Sequence, residues 1–412
     1  MTQQPGPMPG GAPSFFGGQF SANPFPMFAQ MRAIGAVVPV PFSFDPSQKV
    51  WMVTRMEEAV QVLKDKRFTV DRSQMATTNE AMRRREQRMA ETPGLFGRSM
   101  ISVDEPDHKR LRGLVSRAFT PKYIQSLRPH IQQIADGLLD RVQDQGHMDL
   151  VHEFAYPLPI NVISDMLGVP QKNREQIRLW AEALAGGDRI NDEERFVRVR
   201  AFSDYVVQLV AEKRQQPQDD LLSQLIQTEE EGDHLSEAEL LSMAGLLIFA
   251  GHETTSNLIS IGSLMLLDHP EQLERLKADL SLVPSAVEEL LRFNGPVLTP
   301  VPRFATADLE LGGQVLHKGD MVITALASAN RDESQFSDPD EMDIARSLNR
   351  HIAFGQGIHI CLGAPLARLE GDIAFTTLLK RMPNLHLAVE RDTITWRGNF
   401  TLRGLTGLPV AW

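Results

Sequence analysis

His351–Glu370 reads HIAFGQGIHICLGAPLARLE, and the rest of the chain is organised around it. It carries Cys361, the only cysteine among 412 residues. Phe354, Gly355 and Gly357 punctuate a turn ahead of the sulfur, where glycine lets backbone approach a neighbour closely. Behind Gly363, Ala364-Pro365-Leu366-Ala367-Arg368-Leu369-Glu370 is a helix opening with proline in its first turn. A thiolate just before a helix N-terminus is stabilised by the positive end of the helix dipole and by free amide donors. Such surroundings prepare a sulfur to ligate a metal. A lone cysteine in an intracellular protein is otherwise most often buried and inert, and here the turn and the helix argue against that reading.

Composition sets the bounds. With 42% hydrophobic residues, 23% charged residues and a net charge of −11, the chain is expected to be globular with a sizeable core. No general attraction for nucleic acid or membrane follows from that charge. One cysteine excludes an intramolecular disulfide and cysteine-rich metal sites, and it fits a reducing cytosol. Residues 1–23, rich in Gly, Pro and Gln, read as a flexible tail without the basic and apolar regions of a signal peptide. The expectation is a cytoplasmic protein, monomeric, with a single domain over residues 24–412.

Along the chain, Pro24–Ile34 reads as a helix, Val37–Phe42 and Val50–Val53 as strands, and Met56–Lys64 as a helix. Thr69–Ile101 is polar and irregular, with a basic run (Arg83, Arg84, Arg85, Arg88) that reads as a solvated face. The apolar tip Leu95-Phe96 reads equally as loop packing or as a substrate contact. From Pro106 to Leu267 the pattern is almost wholly helical, with breaks at Gly146, Pro157–Pro159, Gly168-Val169-Pro170 and Gly186-Gly187. A helix over Pro284–Phe293, strand-like pieces at Arg303–Leu309 and Met321–Ala325, a helix over Ala364–Met382 and a C-terminal strand pair complete the chain. The fold class is mainly α with a small β portion.

Ser236 and Glu239 form a capping box, after which a helical pattern runs to Asp268 and stops at Pro270. Roughly 32 residues at 1.5 Å each span about 48 Å. Its middle, Met243 to Ala250, is nearly all apolar, yet Gly251-His252-Glu253-Thr254-Thr255-Ser256-Asn257 sits at its centre. A charge there would cost at least about 2.5 kcal/mol in lipid, so the helix belongs in the core of a soluble protein. The polar cluster reads in two ways. Thr254 and Thr255 could bond back to the preceding turn while Glu253 finds an internal partner, or the helix could widen at Gly251 to admit a small ligand and water.

Phe354–Gly363, F-G-x-G-x-H-x-C-L-G, resembles the haem-ligand signature of the cytochrome P450 family with every fixed position filled. Ala250–Thr255, A-G-x-E-T-T, resembles the family's oxygen-activation motif, and Glu289-Leu290-Leu291-Arg292 its E-x-x-R pair, in the expected order. The resemblance extends from about Pro24 to the C-terminus and is strongest to soluble bacterial members. It implies a cytochrome P450-like fold with haem b, iron protoporphyrin IX, between the long central helix and the cysteine-loop helix. Cys361 is then the iron's thiolate ligand, with Phe354, Gly363 and Ala250 against the haem and His108, Arg112, Arg303 and His359 toward its propionates. Glu253 and Thr254 become the acid–alcohol pair that relays protons for oxygen activation. Glu289 and Arg292 become a structural ion pair whose third member is Arg346, with Arg350 the alternative.

Carried over by position, the substrate pocket comprises Leu95, Phe96, Leu247, Ile248, Gly251, Val297, Thr299, Val301, Thr401 and Leu402. That set is mostly apolar, and it implies hydroxylation of a fatty acid, terpenoid, steroid or macrolide-like compound. The implied electron source is a ferredoxin or flavodoxin with its NAD(P)H-dependent reductase, docking near Lys109, Arg110, Arg117 and Arg368. Rival readings are a peroxide-driven peroxygenase, which would not need Glu253 and Thr254, a non-catalytic haem-thiolate sensor, and a haem-free helical protein with a buried thiol. No P-loop, G-x-S-x-G or H-E-x-x-H is present. Ile360 stands where a dinucleotide fingerprint after Gly355 needs its third glycine.

Overall fold

Glu237–Asp268 is one unbroken α-helix of 32 residues in the computed structural model, which describes residues 20, 22–41, 50–72, 98–185, 192–230 and 235–412. The capping box closes as its sequence dictates. Ser236 Oγ accepts from the Glu239 amide at 3.3 Å, and Glu239 Oε2 accepts from the Ser236 amide at 2.9 Å. The helix is buried on nearly every face, because other helices pack around it. Small residues mark the closest crossings: a Cβ on Gly251 would stand 2.5 Å from Ile163 Cγ1, and one on Gly262 would stand 2.7 Å from Phe375 Cζ. Gly251 therefore serves the crossing of two helices. The α-helix keeps its geometry through this point, so the widening expected there does not occur.

In chain order the helices are α1 (Phe25–Ile34), α2 (Met56–Lys64), α3 (Asp107–Ser116), α4 (Pro121–Ser126), α5 (Arg128–Asp140), α6 (Pro157–Leu167) and α7 (Arg174–Ala185). They continue with α8 (Asp192–Gln215), α9 (Leu221–Glu230), the long helix α10, α11 (Pro270–Ala278), α12 (Val283–Asn294), α13 (Leu326–Ala329) and α14 (Ala364–Arg381). Helix α10 packs against α6, α8, α12 and α14. Pro157–Pro159 begins α6 where a break was expected. Prolines in the first turn lack only amide hydrogens that a helix start leaves unpaired.

The strands are β1 (Val37–Val40), β2 (Val50–Val53), β3 (Phe68–Thr69), β4 (His147–Asp149), β5 (Arg303–Ala305), β6 (Leu309–Leu311), β7 (Gln314–Leu316) and β8 (Met321–Thr324). Near the C-terminus follow β9 (His386–Leu387), β10 (Trp396–Gly398), β11 (Arg403–Leu405) and β12 (Pro409–Ala411). A five-stranded sheet runs β1-β2-β8-β5-β3, with β2 and β8 parallel and the other pairs antiparallel. Strand β1 ends at Val40, short of the expected Phe42, which lies outside the described residues. The expected strand piece Arg303–Leu309 divides, because β5 joins the large sheet while β6 pairs with β7. Two further units, β4-β12-β9 and the hairpin β10–β11, involve the C-terminal segment.

The irregular chain between α13 and the cysteine is held by one buried charge cluster. Arg292 Nε and Nη2 reach the two Glu289 oxygens at 2.8 Å, and neither side chain has any exposure. Arg346 Nε lies 3.2 Å from both oxygens, which makes Arg346 the third member; Arg350 is exposed. The Asn349 side chain and the Asp343 amide donate to the same carboxylate at 2.9 and 3.0 Å. Removing one member of such a cluster leaves a buried charge uncompensated, at about 3–5 kcal/mol. Glu289→Ala is therefore expected to lower unfolding stability by that amount in urea titrations. The loop that carries Cys361 loses its tether in that variant.

Candidate active site

The cysteine loop is shaped by backbone. Gly357 has φ +75° and lies against Leu63, so close that a Cβ would stand 2.3 Å from the Leu63 carbonyl oxygen. The Cys361 amide donates to the Phe354 carbonyl at 2.8 Å, closing the turn. The sulfur opens onto an interior cavity, with the amides of Gly363 and Ala364 turned toward it. Burial pushes the thiol up from its ordinary range. Those two amides and the nearby Arg112 and Arg368 guanidiniums pull it down, without reversing the net shift. Metal coordination deprotonates a thiol outright, so the loop supplies donors that suit a bound thiolate. Arg368 lies over the Phe354 ring at 4.5 Å and is itself held by Glu288 at 2.7 Å.

The cavity is about 290 Å³. Its floor is the cysteine loop, with Phe354, Cys361 and Gly363 among the lining residues. Another part of its wall is α10, through Leu247, Ala250, Gly251 and Thr254. Along one edge stand Arg112 from α3, Arg303 from β5 and His359. His108 is buried behind them, its ring 4.4 Å from that of His359. His359 Nε2 meets Asp104 Oδ1 at 3.2 Å. Asp104 feels burial most strongly, but His359, Thr69 and the Val70 amide hold its carboxyl down at about 2. Burial, then the neighbouring His359 and Arg112, lowers His108 to about 4.

Two polar atoms at this edge, His108 Nε2 and Arg303 Nε, are buried without a partner. Cations and unpaired polar atoms gathered at one rim, with a sulfur in the same lining, suit a flat ligand bearing carboxylates at one edge. The residues present fit haem.

The expected pocket divides. Leu247, Gly251, Val297 and Val301 line the cavity, joined by Met100, Phe119, Ile163 and Leu246, which sequence reading missed. Ile248, Thr299, Thr401 and Leu402 do not line it. Ile248 faces the core. Thr299 is buried with its Oγ1 donating to the Phe400 carbonyl at 3.1 Å, and Leu402 bridges Val297 from behind. Leu95 and Phe96 lie outside the described residues.

Glu253 and Thr254 face different surroundings. Thr254 lines the cavity, and its Oγ1 donates back to the Ala250 carbonyl at 3.2 Å. Glu253 is fully buried away from the cavity lining, 2.7 Å from Arg397 Nη1 on β10. The first reading of the polar cluster therefore holds for these two residues: the threonine bonds back while bordering the cavity, and the acid has an internal partner. Arg397 carries no local sequence signal that would have found it.

The expected basic docking face is also reduced. Arg110 is drawn inward to Glu239 at 2.6 Å and also meets Asp107, and Arg368 is bound by Glu288. Lys109 and Arg117 are exposed.

Glu370 on α14 was likewise invisible to motif reading. It is fully buried beside Thr255, and neither carboxyl oxygen makes a hydrogen bond of good geometry. Burial raises it to about 8 from an ordinary 4.5, against a smaller lowering by Thr255. Between those values the folded chain keeps a proton that the unfolded chain releases. Stability should therefore be greatest below the unfolded value and fall as pH rises toward the folded one. Glu370→Gln removes that titration. Its unfolding midpoint, followed by circular dichroism, should stay level across the interval where the parent's declines.

Comparison with known proteins agrees with this geometry. The family model "Cytochrome P450" matches residues 171–387. The polyketide biosynthesis cytochrome P450 PksS of Bacillus subtilis is 42% identical over 96% of this chain and 97% of its own length. The 6-deoxyerythronolide B hydroxylase of Saccharopolyspora erythraea is 39% identical over 95% of this chain and 96% of its own. A crystal structure of a myxobacterial cytochrome P450 in complex with myristic acid superposes with a TM-score of 0.89 at 42% identity, covering 97% of this chain and 98% of the other. Among the described residues no helix is long and apolar enough to cross a membrane. With sulfur floor, cationic rim and helical roof closing on one cavity, the chain belongs to the cytochrome P450 family and is a haem b monooxygenase.

Proposed function

We propose that this enzyme inserts one atom of O2 into a hydrophobic small molecule, hydroxylating a fatty acid, terpenoid, steroid or macrolide-like compound. Electrons come from a ferredoxin or flavodoxin and its NAD(P)H-dependent reductase. The observation that carries the reading is that Cys361 and Thr254 line one and the same cavity. Haem b, when bound, supplies the redox chemistry that activates dioxygen. Cys361 would hold it, Phe354, Gly363 and Ala250 would border it, and His108, Arg112, Arg303 and His359 would take its carboxylates. Thr254 Oγ1 holds a proton at the cavity face, and Glu253, the next residue, replenishes it. The apolar walls keep bulk water out of the site.

Leu246, Leu247, Val297 and Val301 offer contact without charge, which supports a lipophilic substrate. Relatives named for polyketide biosynthesis and for hydroxylation of 6-deoxyerythronolide B, and a neighbour bound to myristic acid, support the same class. A sulfur that must stay reduced supports a cytoplasmic setting. Lys109 and Arg117, exposed on the chain around α3, support docking of an acidic electron carrier.

Two measurements test the reading. The reduced protein under carbon monoxide should show the strongly red-shifted Soret band of thiolate-ligated haem. Thr254→Ala should keep that band while product formation falls by about a hundredfold or more and reducing equivalents appear as hydrogen peroxide. Fully coupled turnover in that variant would remove Thr254 from its role. For the partner surface, Arg117→Glu should slow reduction and flatten its salt dependence while substrate affinity, read from spin-state shifts, stays unchanged.

A further inference from the structure

We propose that Arg368 is a positioning residue for the cysteine ligand: pinned by Glu288 on α12, it lays its guanidinium over Phe354 without lining the cavity, and its charge sets how strongly the Cys361 sulfur donates electron density. The inference rests on the reading of Cys361 as the haem thiolate.

The pin is a three-residue cluster. Arg368 Nε and Nη2, near the start of α14, donate to the two Glu288 oxygens at 2.7 and 2.8 Å, the bidentate fork that fixes a guanidinium in direction as well as place. His351 completes it. The Ala353 amide donates to His351 Nδ1 at 3.1 Å, so the ring is neutral and carries its one hydrogen on Nε2. That atom donates to Glu288 Oε2 at 3.1 Å, and the His351 side chain is only 2% exposed. Burial alone would raise Glu288, but Arg368 and then His351 overcome it and hold its carboxyl at about 2. The carboxylate therefore stays ionised at neutral pH.

Both partners of Glu288 reach one ring. The Arg368 guanidinium stands 4.5 Å from the centroid of Phe354, within cation–π range, and the His351 ring tilts against the same ring at 6.1 Å. The Phe354 carbonyl in turn takes the Cys361 amide at 2.8 Å. The cluster thus steadies the residue whose backbone closes the sulfur loop.

The charge acts on the sulfur as well. Arg112 and Arg368 are the two guanidiniums that pull the Cys361 thiol down. Arg112 lines the cavity edge, where a haem carboxylate would take up its charge; Arg368 is absent from that lining and keeps Glu288 as its partner. A cation beside a thiolate ligand draws electron density back from it and favours the reduced, more negative state of the metal it binds. Glu288 has the opposite influence. Water screens both, because Arg368 is 43% and Glu288 27% exposed.

Dye-coupled reductive titration of the purified holoenzyme, with no electron-carrier protein present, separates this role from docking. At a fixed applied potential, Arg368→Gln should raise the ferric-to-ferrous ratio about tenfold, a midpoint lower by about 59 mV. Glu288→Gln should move the ratio the other way, and Arg368→Lys, which keeps the charge, should stay nearer the parent than Arg368→Gln does. In resonance Raman spectra the iron–sulfur stretch should rise in Arg368→Gln. Loss of packing alone carries no charge sign, so an unchanged ratio in either neutral variant, or shifts of the same sign, would overturn the inference. Should Arg368→Gln not retain haem, Glu288→Gln decides alone, and a ratio equal to or above the parent's would sink the idea. A parent protein without the red-shifted Soret band under carbon monoxide would instead refute the ligand reading, a result separate from the titration.

Discussion

A single buried anion disciplines the least regular part of this molecule. Glu289 has no solvent contact and would be prohibitively costly to ionise there alone. Two guanidiniums, a side-chain amide and a backbone amide surround it. The same guanidiniums also collect carbonyls from the irregular chain. Arg292 takes those of Asn330, Pro339 and Glu341, and Arg346 takes those of Ser337, Asp338 and Glu341. That segment has no strand ladder to satisfy its backbone, so the charge cluster does it. What the cluster specifies is the path of the chain into the cysteine loop.

The cavity then gathers three kinds of surroundings. Its floor offers a sulfur with amides turned toward it, its rim offers positive and neutral nitrogen, and its roof is almost wholly apolar. Asp104 keeps the rim from being a plain cluster of like charges: it pairs with His359, and burial keeps His108 neutral. A rim of this composition can receive anionic groups without strong mutual repulsion beforehand.

Helix α10 serves two compartments at once. Consecutive residues on an α-helix point about 100° apart, so Thr254 can border the haem cavity while Glu253 enters a separate polar region. Gly251 belongs to neither function alone. It gives α6 its close approach, and that approach brings Ile163 into the cavity wall.

The local features of this protein were legible in its sequence. The capping box, the 32-residue helix, the Glu289–Arg292 pair and the turn–cysteine–helix unit each depend on residues within a few positions of one another, where helical period and turn chemistry set the geometry. Tertiary structure decided what depends on distant partners. Arg346 rather than Arg350 reaches Glu289, Arg397 reaches Glu253, and Arg110 turns inward to Glu239. Thr299 and Thr401 drop out of the cavity because the C-terminal hairpin pairs behind Val297 and Leu298 instead of exposing its turn. A charge in sequence shows only that it needs compensation when buried; which opposite charge arrives is set by how helices and hairpins pack.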